Sequence, residues 1–227
     1  MDLSLSDSEL GFAREAREWL SANLGDVPRF ADLAEEIEWG RHWQARMAAD
    51  RWVGLYWPRS YGGRGASPVQ VALFNMEYAR AGAPQPVNRV GINLAGPTLL
   101  AHGTEAQKRR WLPSILDASE IWCQLFSEPD AGSDLASLRT RAEPATDAEG
   151  NPGWLLTGQK VWTSYATFAR WGICLARTDP DAPRHKGISY LVVDMTAPGV
   201  EIRPLRQITG ESEFNEVFLD DVWVPAD

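Results

Sequence analysis

The chain is short of lysine, histidine and cysteine, and each shortage excludes something. Lys108, Lys160 and Lys186 are its only lysines among 22 basic residues, and the formal net charge is −9. Nucleic acid is bound through clustered basic side chains, so no such partner is expected. His42, His102 and His185 are scattered, with no i, i+4 pair and no acidic or thiol neighbour at ligand spacing, so no metal site is expected. Cys123 and Cys174 lie far apart in apolar runs without a C-x-x-C spacing, and read as two buried thiols of a reducing cytosol. No run approaches the roughly 18 apolar residues of a membrane span. Met1 to Glu9 has neither the basic nor the apolar region of a signal peptide. A G-x-S-x-G elbow and a P-loop are missing too, and no histidine is placed to activate Ser133.

What is present is an ordinary globular composition, 44% apolar and 23% charged over 227 residues, enough for one large or two modest domains. The first half reads helical. Ser6-x-x-Glu9 is a capping box, and Leu10, Ala13, Arg17, Leu20 and Leu24 follow at helical spacing until Gly25 and Pro28. A second helix is predicted from Leu33 to Ala49 with Ile37, Trp43 and Met47 inward. Asp50 to Gly65 is Gly-rich and aromatic, a packed connector rather than an idle loop. Pro68 opens a third helix whose stripe is Val69, Ala72, Leu73, Met76 and Ala79. Asn88 to His102 reads as a helix crossing the core, and Thr104-x-x-Gln107 caps a short one that stops at Pro113.

From Ile121 helical periodicity gives way to short β-prone runs: Trp122 to Phe126, Gly153 to Leu156, Val161 to Ser164, Trp171 to Ala176, Ile188 to Asp194, Val200 to Pro204 and Val217 to Val224. Turn signals such as Thr157-Gly158 and Ala197-Pro-Gly199 stand between them. The expected class is α+β: an all-helical domain over 1–120, then an antiparallel β-barrel or sandwich over 121–227.

Two stretches carry chemistry. Trp122-Cys-Gln-Leu-Phe-Ser-Glu-Pro-Asp-Ala-Gly-Ser-Asp134 runs from a strand into a small-residue turn whose backbone can approach a ligand, with Ser127 and Ser133 adding hydroxyls. Gly158-Gln-Lys-Val-Trp-Thr-Ser164 sets a large aromatic beside two hydroxyls. Together they read as a platform for a flat, polar-edged, phosphate-bearing ligand, against the plainer reading of a turn and a core tryptophan. The carboxylates Glu128, Asp130 and Asp134 read as solvated turn residues.

Phe126 to Asp134, Thr157 to Ser164 and Phe214-Asn-Glu-Val-Phe-Leu-Asp-Asp-Val-Trp-Val-Pro225 together resemble the flavin-dependent acyl-CoA dehydrogenases, in the same order and at similar spacing. The resemblance covers nearly the whole chain. It implies FAD as cofactor: Trp162 against one flavin face, Ser164 near N5, and Ser127 with the backbone of Leu125 and Phe126 at the pyrimidine edge. It puts Gly132 and Ser133 by the pyrophosphate, Ser133 also by the pantetheine of acyl-CoA, and Thr163 within the same cofactor-binding stretch. Ser127 and Ser164 stand where the family often has threonine, and Asp130 where a glycine is common. The implied reaction is α,β-dehydrogenation of an acyl-CoA to the 2,3-enoyl-CoA, with an electron-transfer flavoprotein as acceptor and a homo- or hetero-oligomer as the working form. The family's third, helical domain, which supplies the catalytic glutamate, has no counterpart before Asp227, so no catalytic residue is assigned. The rival expectations are a non-catalytic subunit that assembles with a complete partner, and a flavin oxidase or monooxygenase on the same scaffold.

Overall fold

The computed structural model describes residues 4–226; Met1 to Leu3, where the signal-peptide reading starts, and Asp227 lie outside the described residues. A helical unit ends at Ser119 and a β unit begins at Glu120.

The helical unit holds α1 (Asp7–Asn23), α2 (Leu33–Ala49), α3 (Pro68–Arg80), α4 (Gly96–His102) and α5 (Glu105–Leu116). Local chemistry sets most of its starts. Ser6/Glu9, Ser67/Gln70 and Thr104/Gln107 each form a reciprocal capping box, and Asp32 caps α2 by accepting from the Glu35 N–H. Each satisfies N–H groups that a first turn leaves without partners. Gly91–Ala95 is a π-helical turn running directly into α4, so the expected single helix carries a bulge before Pro97. That wider turn adapts the backbone next to a residue with no N–H.

Two helical expectations are corrected. The third helix does not bury its predicted stripe: Leu73 is buried, but Val69 and Met76 are 42% and 50% exposed and Ala72 and Ala79 lie beside them on the open side. Its inward face is Leu73, Phe74, Glu77 and Tyr78. Phe74 and Tyr78 set that face: Phe74 stacks on Trp52, and the Tyr78 hydroxyl accepts from Trp43 Nε1 at 2.8 Å. On the same face Arg17 of α1 donates from Nε and Nη2 to the Glu77 carboxylate at 2.8 and 2.9 Å and holds it below the usual carboxylate range. Nor does α5 stop at Pro113; it runs on to Leu116. Two buried amides hold that last turn. Gln44 Nε2 donates to the carbonyls of Ile115 and Leu116, both at 3.0 Å, and Asn88 Nδ2 donates to Ile115 O at 3.0 Å.

The aromatic connector is packed as expected. Trp57 is fully buried, Trp52 stacks on Phe74 at 5.3 Å, and Arg64 lies over the Trp52 ring. Gly96 is there for space: a Cβ would run into Cζ2 of the Trp57 indole. Its backbone is ordinary right-handed helix, so Gly96→Ala isolates overpacking from strain. We expect a loss of about 1–3 kcal/mol in a urea titration, although alanine is the better helix former.

The β unit is one curled sheet in the order β1-β4-β2-β3-β7-β6, with β5 pairing β4. Its strands are β1 (Trp122–Leu125), β2 (Arg141–Thr146), β3 (Pro152–Ser164), β4 (Trp171–Arg177), β5 (Ile188–Asp194), β6 (Val200–Pro204) and β7 (Phe214–Pro225). Most pairings are antiparallel, but β1 runs parallel to β4 with Trp122 opposite Trp171. One strand escaped the sequence. β2 is polar and contains Pro144, yet it pairs with β3 along its length and with β4 only at Arg141↔Arg177, so the proline interrupts no inner ladder. The Thr157-Gly158 turn signal does not mark a turn. Gly158 sits inside β3, where a Cβ would lie 2.8 Å from Thr140 Cα, and marks close backbone approach rather than a break.

Cys123, Leu125, Leu156, Cys174, Val193 and Val217 share the core of this unit. Burial pushes the Cys174 thiol up to about 11 and the Cys123 thiol higher still. Both are free and fully buried. An aromatic disulfide reagent should therefore find two reactive thiols after denaturation and none in the native chain; a single rapid native reaction would contradict this packing.

Candidate functional site

The site-bearing segments meet on the β3 side of the β unit. The chain leaving β1 reaches Ser127, whose carbonyl accepts from the Val161 N–H at 2.9 Å. It then turns tightly, Glu128 and Ala131 exchanging backbone bonds at 2.9 and 3.1 Å around Pro129-Asp130. The two stretches that the sequence singled out are thus one surface.

Two bulges shape it. Leu156 faces Val222 and Gly158 faces Leu219, so β7 carries one extra residue there; Lys160 faces Val217 and Thr163 faces Asn215, so β3 carries the next. The irregular backbone falls on Asp221 (φ 48°) and Trp162 (φ 60°). A bulge re-aims side chains, and a left-handed φ is costly for an L residue other than glycine. The result is visible at once: Trp162 is 62% exposed, with Phe214 meeting it edge-on at 6.0 Å. A tryptophan on this sheet would ordinarily be buried; the plainer reading of Trp162 as core is overturned. Thr163 and Ser164 follow the period of a strand. Thr163 is fully buried, so its hydroxyl faces away from the exposed surface, whereas Ser164 is half-buried at the strand end.

The remaining predicted residues divide in the same way. Leu125 is fully buried and offers a ligand only backbone; Phe126 and Ser127 are partly exposed; Gly132 and Ser133 are exposed on the turn. The carboxylates of that turn are not simply solvated. Asp130 lies 3.3 Å from Arg139 and Asp134 lies 3.4 Å from Arg184, so both exposed charges have a cation beside them.

Glu128 is the larger surprise. It is buried, accepting from the Arg139 N–H at 2.6 Å, the Thr140 N–H at 2.9 Å and Lys160 Nζ at 2.9 Å. Lys160, fully buried, also donates to the carbonyls of Leu175 (2.8 Å) and Phe126 (3.3 Å). All three ammonium protons therefore have acceptors. Burial is the largest single influence on the Glu128 carboxyl and raises its pKa. The bonds from Thr140, Arg139 and Lys160 together outweigh it and leave the group below the usual carboxylate range. This pair lay outside the sequence reading. Its signal was there: Leu156, Gly158 and Lys160 share one phase of a strand, so a lysine sits on an inward row.

The helical unit holds a cavity of about 460 Å³ walled by Met47, Trp52, Leu55, Phe74, Tyr78 and Ile92, with Arg89 as its one charged lining residue. Among the described residues no group of His, Cys, Asp and Glu is placed to hold a metal ion, and no helix is long and apolar enough to cross a membrane.

Residues 6–119 match the model of the acyl-CoA dehydrogenase N-terminal domain, and residues 123–222 that of the acyl-CoA dehydrogenase middle domain. Acyl-CoA dehydrogenase IpdE1 of Mycolicibacterium smegmatis is 50% identical over 227 residues, a match covering 95% of this chain and 58% of that protein. The ChsE4-ChsE5 complex from Mycobacterium tuberculosis superposes with a TM-score of 0.80 at 34% identity, over 99% of this chain and 56% of the matched one. A glutaryl-CoA dehydrogenase from Mycobacterium smegmatis in complex with FADH2 gives a TM-score of 0.71 at 26% identity, over 98% and 55% of the two chains. The chain thus spans little more than half the length of these relatives.

Proposed function

The chain belongs to the acyl-CoA dehydrogenase family, and on that premise we propose that its β unit carries one face of an FAD site serving the α,β-dehydrogenation of an acyl-CoA thioester. The observation that carries the proposal is Trp162: a large aromatic held out of the sheet by a bulge, with Ser164 two residues on and Ser127 joined to the same strand through Val161. These residues fit a flavin. A flat ring system needs an aromatic plane to lie against and hydroxyl donors at its polar edge, fixed before charge develops there. Trp162 would supply the plane, and Ser127 and Ser164 the hydroxyls. Gly132 and Ser133, exposed on the turn, would present backbone and hydroxyl donors to phosphate. Thr163 and Leu125 would contribute through their backbone, since their side chains face the core. When bound, FAD would supply a hydride acceptor for an acyl-CoA, with an electron-transfer flavoprotein as the proposed oxidant of the reduced flavin. The cavity of the helical unit, with an apolar wall of Met47, Trp52, Leu55, Phe74 and Ile92 beside the polar Asn75, Gln85, Arg89 and Asn93, supports an acyl thioester by its size and mixed lining.

No residue is assigned as the base that removes the α-proton. Glu128 is disqualified by its three hydrogen bonds and lowered pKa, which leave it a weak proton acceptor. We propose that helical elements of a longer or second chain complete the site. A matched relative that is a complex of two named proteins favours a hetero-oligomer over a self-sufficient chain. The exposed apolar row of Val69 and Met76 on α3 gives such elements a surface to cover.

The test is a fluorescence titration of FAD into the chain, followed by dye-coupled oxidation of a panel of acyl-CoAs with and without a helical partner. Weak FAD binding that tightens with the partner, and turnover only in its presence, are expected. An assembled complex with no flavin on this chain would leave the non-catalytic subunit as the better reading. Rapid reoxidation of bound flavin by air would mark an oxidase instead.

A further inference from the structure

We propose that Asn215 is a positioning residue for the tryptophan platform: its side-chain amide sets the outward throw of Trp162, a role whose functional meaning rests on the flavin site proposed above. Asn215 is fully buried on β7, directly opposite Thr163 across the β3 bulge. Its Nδ2 donates to Thr163 O at 3.0 Å and to Glu213 O at 3.1 Å. Both amide protons are therefore spent on main-chain carbonyls at one point of the sheet. Thr163 is the residue immediately after Trp162, so the first bond fixes the backbone that leaves the left-handed turn. Glu213 O also accepts from the Tyr165 N–H at 2.9 Å, so the second bond ties the clamp to the chain just beyond Ser164. Asn215 thus brackets Trp162, Thr163 and Ser164 from below while touching none of the surface a ligand would meet.

A regular ladder could not do this. A bulge leaves a residue without its cross-strand partner and loosens the pairing locally. A side-chain amide bonding across the irregularity replaces the lost constraint, and a strained φ persists only where its surroundings over-determine it. Positioning of this kind should show in the geometry of Trp162 before it shows in global stability.

The chain has eleven tryptophans, so the readout must be specific to one of them. Protein labelled with fluorotryptophan would be examined by fluorine NMR, with the Trp162 resonance assigned from Trp162→Phe. Asn215→Leu, close in size but without donors, should shift or split the Trp162 signal, leave those of Trp43, Trp52 and Trp57 in the helical unit unchanged, and weaken FAD binding by about tenfold. Asn215→Thr, which keeps a single donor, should fall between. A Trp162 signal unmoved in Asn215→Leu would overturn the proposal. Should both variants fail to fold, the unsubstituted chain decides: a clamped amide exchanges its side-chain protons slowly, and fast exchange at Asn215 Nδ2 would refute the clamp. A moved Trp162 in a chain that takes up no FAD, alone or with a partner, would uphold the clamp and reject the flavin site, which separates the two ideas.

Discussion

Lys160→Met is expected to cost about 3–5 kcal/mol, the largest loss from any single substitution considered and a large fraction of the marginal stability of a folded domain. The reason is what remains rather than what is removed. Glu128 stays buried with two backbone donors but without its counter-ion, and an uncompensated charge in a dry interior is far costlier than a missing contact. Methionine fills the volume, so cavity formation adds little. The double variant Glu128→Gln, Lys160→Met should recover part of the loss, with a coupling above about 1 kcal/mol in the double-mutant cycle. Simple additivity would mean that the pair is not an interacting unit.

Acid titration gives a second test. The carboxyl of Glu128 is held below its unfolded value, so its contribution is complete above the ordinary carboxylate range and is lost as pH falls through the lowered folded pKa. In Lys160→Met the lowering influence of the ammonium is gone while burial still raises the carboxyl, so the variant should lose less stability on acidification than the unsubstituted chain. Once Glu128 is protonated in both proteins their stabilities should converge. A gap between the two denaturation curves independent of pH would argue against a charged Glu128.

Trp162→Ala should do the opposite: weaken FAD binding strongly while barely touching the fold. The ring is mostly exposed without ligand, so folding stability should change by no more than about 0.5 kcal/mol. Bound flavin would cover it, and removing the ring should then cost about 2–4 kcal/mol of affinity, by analogy with large-to-small changes in a packed interior. That is roughly 1.5 to 3 orders of magnitude in Kd. Ser164→Ala removes one hydrogen bond, about 0.5–1.5 kcal/mol, and should act mainly on the flavin potential. Unchanged FAD affinity in Trp162→Ala would remove Trp162 from the site. A large loss of thermal stability would mean that the ring belongs to the core after all.

What could be read in the chain depended on how far apart the deciding residues lie. Helix α2 was legible from end to end, because its start is set by Asp32 and Glu35 and its inward residues by their own spacing. The switch to strands at Ile121 was legible for the same reason. The end of α5 was not: Pro113 is a local stop signal, overruled by Gln44 and Asn88 from elsewhere in the unit. The face of α3 was not, because its partners lie far off in the chain: Trp52 against Phe74, Trp43 on the Tyr78 hydroxyl, and Arg17 on Glu77. At the candidate site, the residue types of the platform could be named from the sequence, but their aim could not. Whether Trp162 and Thr163 face in or out is decided by pairing with β7, and no count along β3 contains that information.

The two bulges act on the sheet as a pair of insertions acts on a reading frame. One extra residue on β7 shifts its alignment against β3 by one, and one extra residue on β3 shifts it back, so the ends of the paired strands are in register and only the middle is out. They are a frame shift and its suppressor. Losing either alone would put the stretch beyond it on the wrong face of the sheet, since the side-chain period is two. Losing both, for instance Trp162 and Asp221 together, would give an unbroken ladder with the same core rows and no outward tryptophan. The platform is thus an excisable insert in the sheet. A chain could keep this topology in full and still have given up the site.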